Sequence, residues 1–456
     1  GGPQKMAGDY LYYSGRASHF AEGSWGIIRV YDELQKDLKP LPSREVIQKS
    51  AASVCPADAP VKSFNVVAMD QKLRFNDGAP GLMEVDLERK MVLGNEQGKM
   101  YVLEGDKGRV KAGELKPSPL TLHVNVGDCV KINLKNEMAK ERAGFHVDMM
   151  AFDPRDSFGA NVGNNPGNQA VNPGQARTYT YYAHPEYGEL AAIIQDWGNV
   201  VENPRNGLFG SVIIGPKGSK YRDPITGEDV SMKSSWRADV IVDRTIPGND
   251  NRQNYRSFSL MFQDEDNIIG VSFMPYIQQN AGISAVNYRS EPTAYRIDKG
   301  CTAAEVFSCV KTGQLPATPT LSAHVGDPVA IHILGVFSEQ VQLFTIDGHE
   351  WPHEPYMTGA DLVSTMEFGG SEVINAYLNG GAGGPNRVAG DYLWKNQRPA
   401  YMNAGQWGLF RVLPVDDRQI LPLNPQTPDT RKVEADAPGQ PALISGPGMP
   451  QEVTAR

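Results

Sequence analysis

Residues 347–357, DGHEWPHEPYM, hold the densest set of side chains able to do metal chemistry. His349-Glu350-Trp351-Pro352-His353 satisfies H-E-x-x-H. On a helix that spacing puts two imidazoles on one face around Zn²⁺, with the glutamate as general base for hydrolysis. Pro352 lies inside the motif and Pro355 follows it. An interior proline removes a helix hydrogen bond and clashes with the preceding turn, and the residue before it avoids the α region. The stretch is therefore expected to follow a strand as a loop and to form no zinc site. The acidic run QDEDN (263–267) could attract a hard cation, but reads more simply as a solvated turn. His123, His324 and His332 fall on the polar phase of alternating segments and are expected at the surface. His184 precedes Pro185 in YAHPEYG, where a structural hydrogen bond is expected. No G-x-S-x-G, phosphate loop or paired carboxylates of defined spacing are found.

A chain of 456 residues exceeds one ordinary core, so two or three domains are expected. Gly 47 and Pro 33 are high usage and suit a turn-rich β protein. A net charge of -9 argues against nucleic acid and anionic membrane as partners, and no apolar run approaches a membrane span. The opening GGPQKMAGDY carries neither an initiator Met nor a signal-peptide core. It reads as the product of a removed leader or as a piece of something larger. Four cysteines without C-x-x-C fit an oxidising compartment. Cys301 and Cys309 bracket a short loop that a disulfide could close, leaving Cys55 and Cys129 as the other pair.

The elements come from repetition. Residues 1–30 and 383–412 align without a gap at an offset of 382, with 14 of 30 positions identical. A shorter echo, V-G-D-x-V-x-I-x-[LI], joins HVNVGDCVKINL (123–134) to SAHVGDPVAIHI (322–333). Period-two alternation on both sides of the Gly127-Asp128 turn reads as strands. ARTYTYYA (176–183), SVIIG (211–215), ADVIVD (238–243) and GLFRVL (408–413) are further strand candidates, and EVIQKSAASV (45–54) is the best helical pattern. The expected fold is all-β. Residues 1–31 are the closing strands of an incomplete sandwich, 60–217 and 235–415 are sandwiches, 218–234 is a linker and 416–456 an extended tail.

GFHVDMM, NPGQARTYTYYAHPE and GLFGSVIIGP, with LFTIDGHEWPHEP, AGDYLW and AGQWGLFRV, resemble cupredoxin domains of multicopper oxidases. The paired domains and NYRSEP (287–292) are similar to the large ceruloplasmin-like members, including bacterial manganese-oxidising ones. The resemblance covers roughly 1–415 and implies tandem cupredoxin-like Greek-key β-sandwiches. It also implies positions for copper ligands. The H-x-H of such domains falls on His146 and Asp148. H-x-x-H-x-H-G-H falls on Gln342, Thr345, Asp347, Gly348 and His349, and only the last histidine, usually not a ligand, is kept. Anchored on Gly23, Gly207 and Gly405, H-C-H-x-x-x-H-x-x-x-G places Ser14, Gly198 and Asn396 where the cysteine belongs. His19 alone survives of the last histidines, against Asn203 and Tyr401. A blue copper requires that thiolate. No copper is therefore expected within this chain, and His19, His146, Asp148 and His349 stand as relic positions.

The resemblance implies the C-terminal section or a processed subunit of a large secreted, periplasmic or cell-surface oxidase. Its copper, and its oxidation of metal ions or phenols with O₂, would lie in parent or partner domains. The alternative is a non-enzymatic cupredoxin-fold scaffold of an extracellular assembly. Either way, residues 1–30 would expose Leu11, Trp25, Ile27, Ile28 and Val30 and two strand edges. A separate polypeptide, most simply from the same precursor, is expected to complete that domain.

Overall fold

The computed structural model describes residues 2–39, 42, 49–78, 82–86, 89–264, 283–313 and 315–424. It is all-β, built as two two-sheet sandwiches with a β-hairpin lying against them. In the first sandwich one sheet runs Ala151–Phe152, Ala176–Tyr182, Cys129–Asn136, Val61–Asp70, Lys99–Leu103. The facing sheet runs His146–Val147, Leu190–Gln195, Gly210–Gly215, Leu120–Asn125. The second sandwich repeats the plan. One sheet contains Lys220–Arg222, Arg237–Ile241, Tyr255–Asp264, Val329–Phe337 and Val373–Tyr377. The other runs Leu321–His324, Trp407–Leu413, Gly390–Asn396, Gln342–Ile346, Thr365–Phe368. Each sheet contains one parallel pair among antiparallel ones, and strands adjacent in sequence cross between sheets.

The V-G-D echo is a turn in both sandwiches. Gly127 and Gly326 take positive φ (91° and 78°), which glycine adopts without steric cost. The following aspartate accepts from the backbone N–H three residues earlier: Asn125 to Asp128 at 2.8 Å, His324 to Asp327 at 2.9 Å. Both disulfides expected from the cysteine spacing form. Cys55–Cys129 and Cys301–Cys309 have Cα separations of 5.7 and 5.9 Å.

Alternating residues such as Leu122, Val124, Val130 and Ile132 fill the first core, and Leu260, Ile331, Ile333 and Phe344 the second. The opposite phase is buried as well, because the sandwiches pack face to face. Val67, Met100, Ala191 and Ile213 of the first meet Met261, Ala285 and Leu334 of the second in one apolar layer. A buried Glu189–Arg252 ion pair and an Ala191 N–H donating to Asn375 Oδ1 at 3.0 Å cross the same boundary.

This corrects three histidine positions. His123, His324 and His332 are buried rather than on the surface. Strand alternation places one phase in the core, but here the other phase meets neighbouring protein instead of water. His123 stacks on Tyr221 and lies 2.9 Å from Ser235 O. His332 lies 2.7 Å from Asn375 Oδ1. His324 Nε2 lies 2.8 Å from Asp417 O. Burial lowers both His123 and His332 to about 4.

Other segments also differ from expectation. Lys220–Arg222, inside the expected linker, is an edge strand whose Tyr221 is fully buried. Residues 416–424 are tied down: Leu421 O and Pro422 O accept from Arg256 Nη2 and Arg222 Nη2 at 2.8 and 2.9 Å. Residues 425–456 lie outside the described residues, as do 45–48 of the expected helix, and 49–54 are not helical. Gln263 and Asp264 are buried at a strand end rather than in a solvated turn, because they lie under the second sandwich's hairpin. Residues 265–267 lie outside the described set.

Candidate functional site

The positions singled out by sequence do not form one site, and two places hold most of them. The first is a three-way junction of the N-terminal hairpin and both sandwiches. His146 sits on the short strand His146–Val147, opposite Gln195. Its ring stacks on Phe158 (centroids 4.8 Å apart), and Phe152 and Trp197 meet it edge-on. Its Nδ1 hydrogen-bonds Phe158 O at 2.9 Å, and its Nε2 lies 3.4 Å from Asp148 Oδ1. Asp148 in turn accepts from Gln195 Nε2 at 2.8 Å. Gln195 also donates to Ser371 Oγ of the second sandwich at 2.9 Å and accepts from Tyr13 Oη of the hairpin at 2.9 Å. Thus His146 and Asp148 do meet, but they are spent on protein hydrogen bonds. His19 turns back on its own hairpin, with Nδ1 3.3 Å from Ser14 Oγ.

A cavity of about 50 Å³ opens beside this junction, lined by Tyr13, Phe20, Gln195, Asp196, Trp197 and Ser371. That is room for a few waters at roughly 10–15 Å³ each. Asp196 closes the Trp197-Gly198-Asn199 loop. It accepts from the N–H of Gly144 (2.6 Å), Gly198 (3.0 Å) and Asn199 (3.0 Å) and from Asn203 Nδ2 (2.8 Å). Burial pushes its carboxyl up to about 6 despite those donors.

The second place lies under the C-terminal hairpin. Asn396, at the cysteine position, donates to Gln342 Oε1 and to Gln406 Oε1 (2.7 Å), and accepts from Arg398 N at 3.1 Å. Gln342, at the first histidine position, donates to Asp264 Oδ1 at 2.7 Å. Gln406 reaches Gln263 O at 3.2 Å. The side chains of Gln263, Asp264, Gln342, Asn396 and Gln406 are buried. Burial pushes Asp264 up to about 7. His349 is buried apart from this network, against Tyr392 and Phe410. The Gly383 N–H donates to its Nε2 at 3.0 Å, which fixes its proton on Nδ1, 3.0 Å from Asp347 O. Trp351–Pro352 is a strand, so His349 and His353 share no helix face and the zinc reading fails on geometry. His184 makes its expected local bond, accepting from Glu186 N at 3.2 Å.

Copper does not fit these residues. All four cysteines are in disulfides, so no thiolate is free. At Gly198 even a Cβ would lie 2.3 Å from Arg142 O, so no cysteine can occupy that position without moving backbone. Both nitrogens of His349 are committed. Among the described residues, no three His, Cys, Asp or Glu side chains converge as a metal site. The sequence pattern pointed to Ser14, Gly198 and Asn396. It did not single out Gln195, Ser371 or Gln406, because amides and hydroxyls carry no distinctive spacing.

No family model matches the chain, and no curated protein does. Solved structures similar to it include a multicopper oxidase at 15% identity, covering 79% of this chain and 92% of that one with a TM-score of 0.46. The blue copper oxidase of Nitrosomonas europaea is 15% identical, covering 77% and 86% with a TM-score of 0.46. The copper nitrite reductase of Nitrosomonas europaea is 12% identical, covering 80% and 99% with a TM-score of 0.47.

Proposed function

We propose that this chain is a copper-free, structural C-terminal section of a larger extracytoplasmic multicopper oxidase. Oxidation of metal ions or phenols with O₂ belongs, on this reading, to domains outside these residues. The observation that supports it most is the pattern of replacement. Positions that match the family's ligands in sequence hold Asn396 and Gln342, which hydrogen-bond each other, and a Gly198 without side-chain room. Residues in those places now hold hairpin and sandwiches together through amide, hydroxyl and carboxylate bonds. Two disulfides support an oxidising compartment. No helix among the described residues is long and apolar enough to cross a membrane.

The test is copper content measured on two proteins: this 456-residue chain and the protein extended by its natural upstream coding sequence. The expected result is no stoichiometric copper and no thiolate-to-copper absorption for the first, and both, with oxidase activity, for the second. Stoichiometric copper on the 456-residue chain overturns the structural reading. A copper-free extended protein leaves the scaffold alternative in its place.

A further inference from the structure

The two copies of the 30-residue repeat share a backbone but not a setting. Gly8–Tyr13 and Trp25–Val30 pair antiparallel around the helical turn Ala17–Ala21. Gly390–Asn396, Pro399–Asn403 and Trp407–Leu413 do the same 382 residues later. In the C-terminal copy, Leu321–His324 pairs parallel with Trp407–Leu413, and Gln342–Ile346 pairs antiparallel with Gly390–Asn396. In the N-terminal copy the strands form a two-stranded sheet of their own among the described residues.

Burial follows the same divide. The N-terminal hairpin is covered in part: Leu11, Tyr13 and Phe20 on one face and Tyr10 on the other pack on the first sandwich's core. The face of Tyr12 and Ile28 is bare at those two residues. Tyr12 is 56% exposed and Ile28 56%, where their counterparts Trp394 and Phe410 are at 0%. Trp25 is 48% exposed where Trp407 is at 0%. Trp407 is covered by the helix Thr293–Asp298, its approach and the disulfide-closed loop after it: its Nε1 donates to Glu291 O at 2.7 Å, Arg296 lies over its ring and Phe307 meets its edge.

From this juxtaposition we infer that the bare face of the N-terminal hairpin is an interface, and that its occupant is a third β-sandwich encoded immediately upstream in the same precursor. The internal copy supplies the specification. The occupant provides one strand parallel to Trp25–Val30, one antiparallel to Gly8–Tyr13, and apolar side chains over Tyr12 and Ile28. In the C-terminal copy the corresponding sandwich strands, from Arg237 to Tyr377, directly precede the hairpin in sequence. A second copy of this chain is a poor occupant, because its strands of that kind already pair with its own C-terminal hairpin. Two bare strand edges and an apolar face recruit other strands, and an isolated hairpin is marginal in water. The inference stands on the hairpin alone and holds whether or not the upstream sandwich carries copper.

Hydrogen exchange read by mass spectrometry tests it, with residues 407–412 as an internal standard. In the 456-residue chain, amides of 25–30 exchange freely on their outer edge. In the protein extended upstream, they are expected to reach protection within roughly tenfold of 407–412. Ile28→Lys in the extended protein is expected to lose that protection at 25–30 while 407–412 keeps it. Free exchange at 25–30 in the extended protein overturns the inference. So does concentration-dependent protection of the 456-residue chain that Ile28→Lys abolishes, which would make a second copy the occupant. Intact mass under denaturing conditions separates one continuous chain from a cleaved pair.

Discussion

The hairpins at 8–30 and 390–412 differ at 16 of the 30 aligned positions of their repeat, yet agree bond for bond. Ser14 N donates to Ser24 O at 2.9 Å, and Asn396 N to Gln406 O at 2.9 Å. Arg29 grips Asp9 with Nε and Nη2, as Arg411 grips Asp391. Tyr10 Oη donates to Met6 O and Tyr392 Oη to Val388 O. Gly23 and Gly405 share positive φ (103° and 115°) at the end of the helical turn. These contacts are local, so local sequence suffices to specify them. What covers Trp394 and leaves Tyr12 bare comes from distant strands. The hairpin is a module; whether it is a core element depends on what it is docked to.

The largest effect that would sharpen this contrast is truncation of the paired aromatics. Trp394→Ala should cost about 3–5 kcal/mol in denaturant unfolding of the second sandwich, since it leaves a cavity in a closed core. Tyr12→Ala in the same 456-residue chain should stay within about 0.5 kcal/mol. Equal losses would mean that the N-terminal hairpin is already buried in this chain.

A smaller difference is expected at the two cysteine positions. Asn396 satisfies two buried amides and is itself satisfied by backbone donors, so Asn396→Ala should cost about 1–3 kcal/mol by orphaning Gln342 and Gln406. Ser14 makes only short local bonds to His19 and Arg16, so Ser14→Ala should fall within about 0.5 kcal/mol. Thermal midpoints of the two variants measure the difference. A larger loss at Ser14 would show that the junction depends on that hydroxyl.

The same contrast explains what could be read from sequence. The hairpins, the V-G-D turns and the Cys301–Cys309 disulfide depend on local spacing, which a 30-residue repeat, a glycine-aspartate turn or two cysteines eight residues apart display directly, whereas Cys55–Cys129 followed only as the remaining pair. The burial of His123 and His332 was invisible because a polar strand phase looks the same whether it faces water or another domain. Asp264 was misread as part of an acidic turn for a related reason. Nothing in QDEDN states that Gln342 and Glu339, some 75 residues on, cover it. The amide network around Asn396 was not legible, because Asn and Gln occur on any surface.

Asp9 and Asp264, one carboxylate from each region, also differ in the sign of their response to pH. Under the N-terminal hairpin, Asp9 is held below its ordinary value, first by its hydrogen bonds to Arg29. Its contribution to stability is present above its ordinary value of 3.8 and is lost as pH falls through the lowered one. Under the C-terminal hairpin, burial pushes Asp264 up to about 7 from 3.8. There the unfolded chain releases its proton first. Stability is fully present below 3.8, declines as pH rises and levels off past about 7. Each pH unit in that window is worth at most about 1.4 kcal/mol. His123 and His332, lowered to about 4 from 6.5 by burial, slope the other way, losing stability as pH falls between those values. The raw profile of the protein therefore mixes both signs. Subtracting the profile of Asp264→Asn isolates the carboxyl, because the histidines are common to both proteins. The amide keeps an acceptor for Gln342 but turns a donor toward Glu339 N, which sits 3.3 Å from the second oxygen. The variant should therefore start slightly below the wild type near pH 4 and overtake it by pH 7. A difference curve that is flat across this window, measured by chemical unfolding at fixed ionic strength, would mean that Asp264 ionises normally and that the amide network beneath the C-terminal hairpin is open to water.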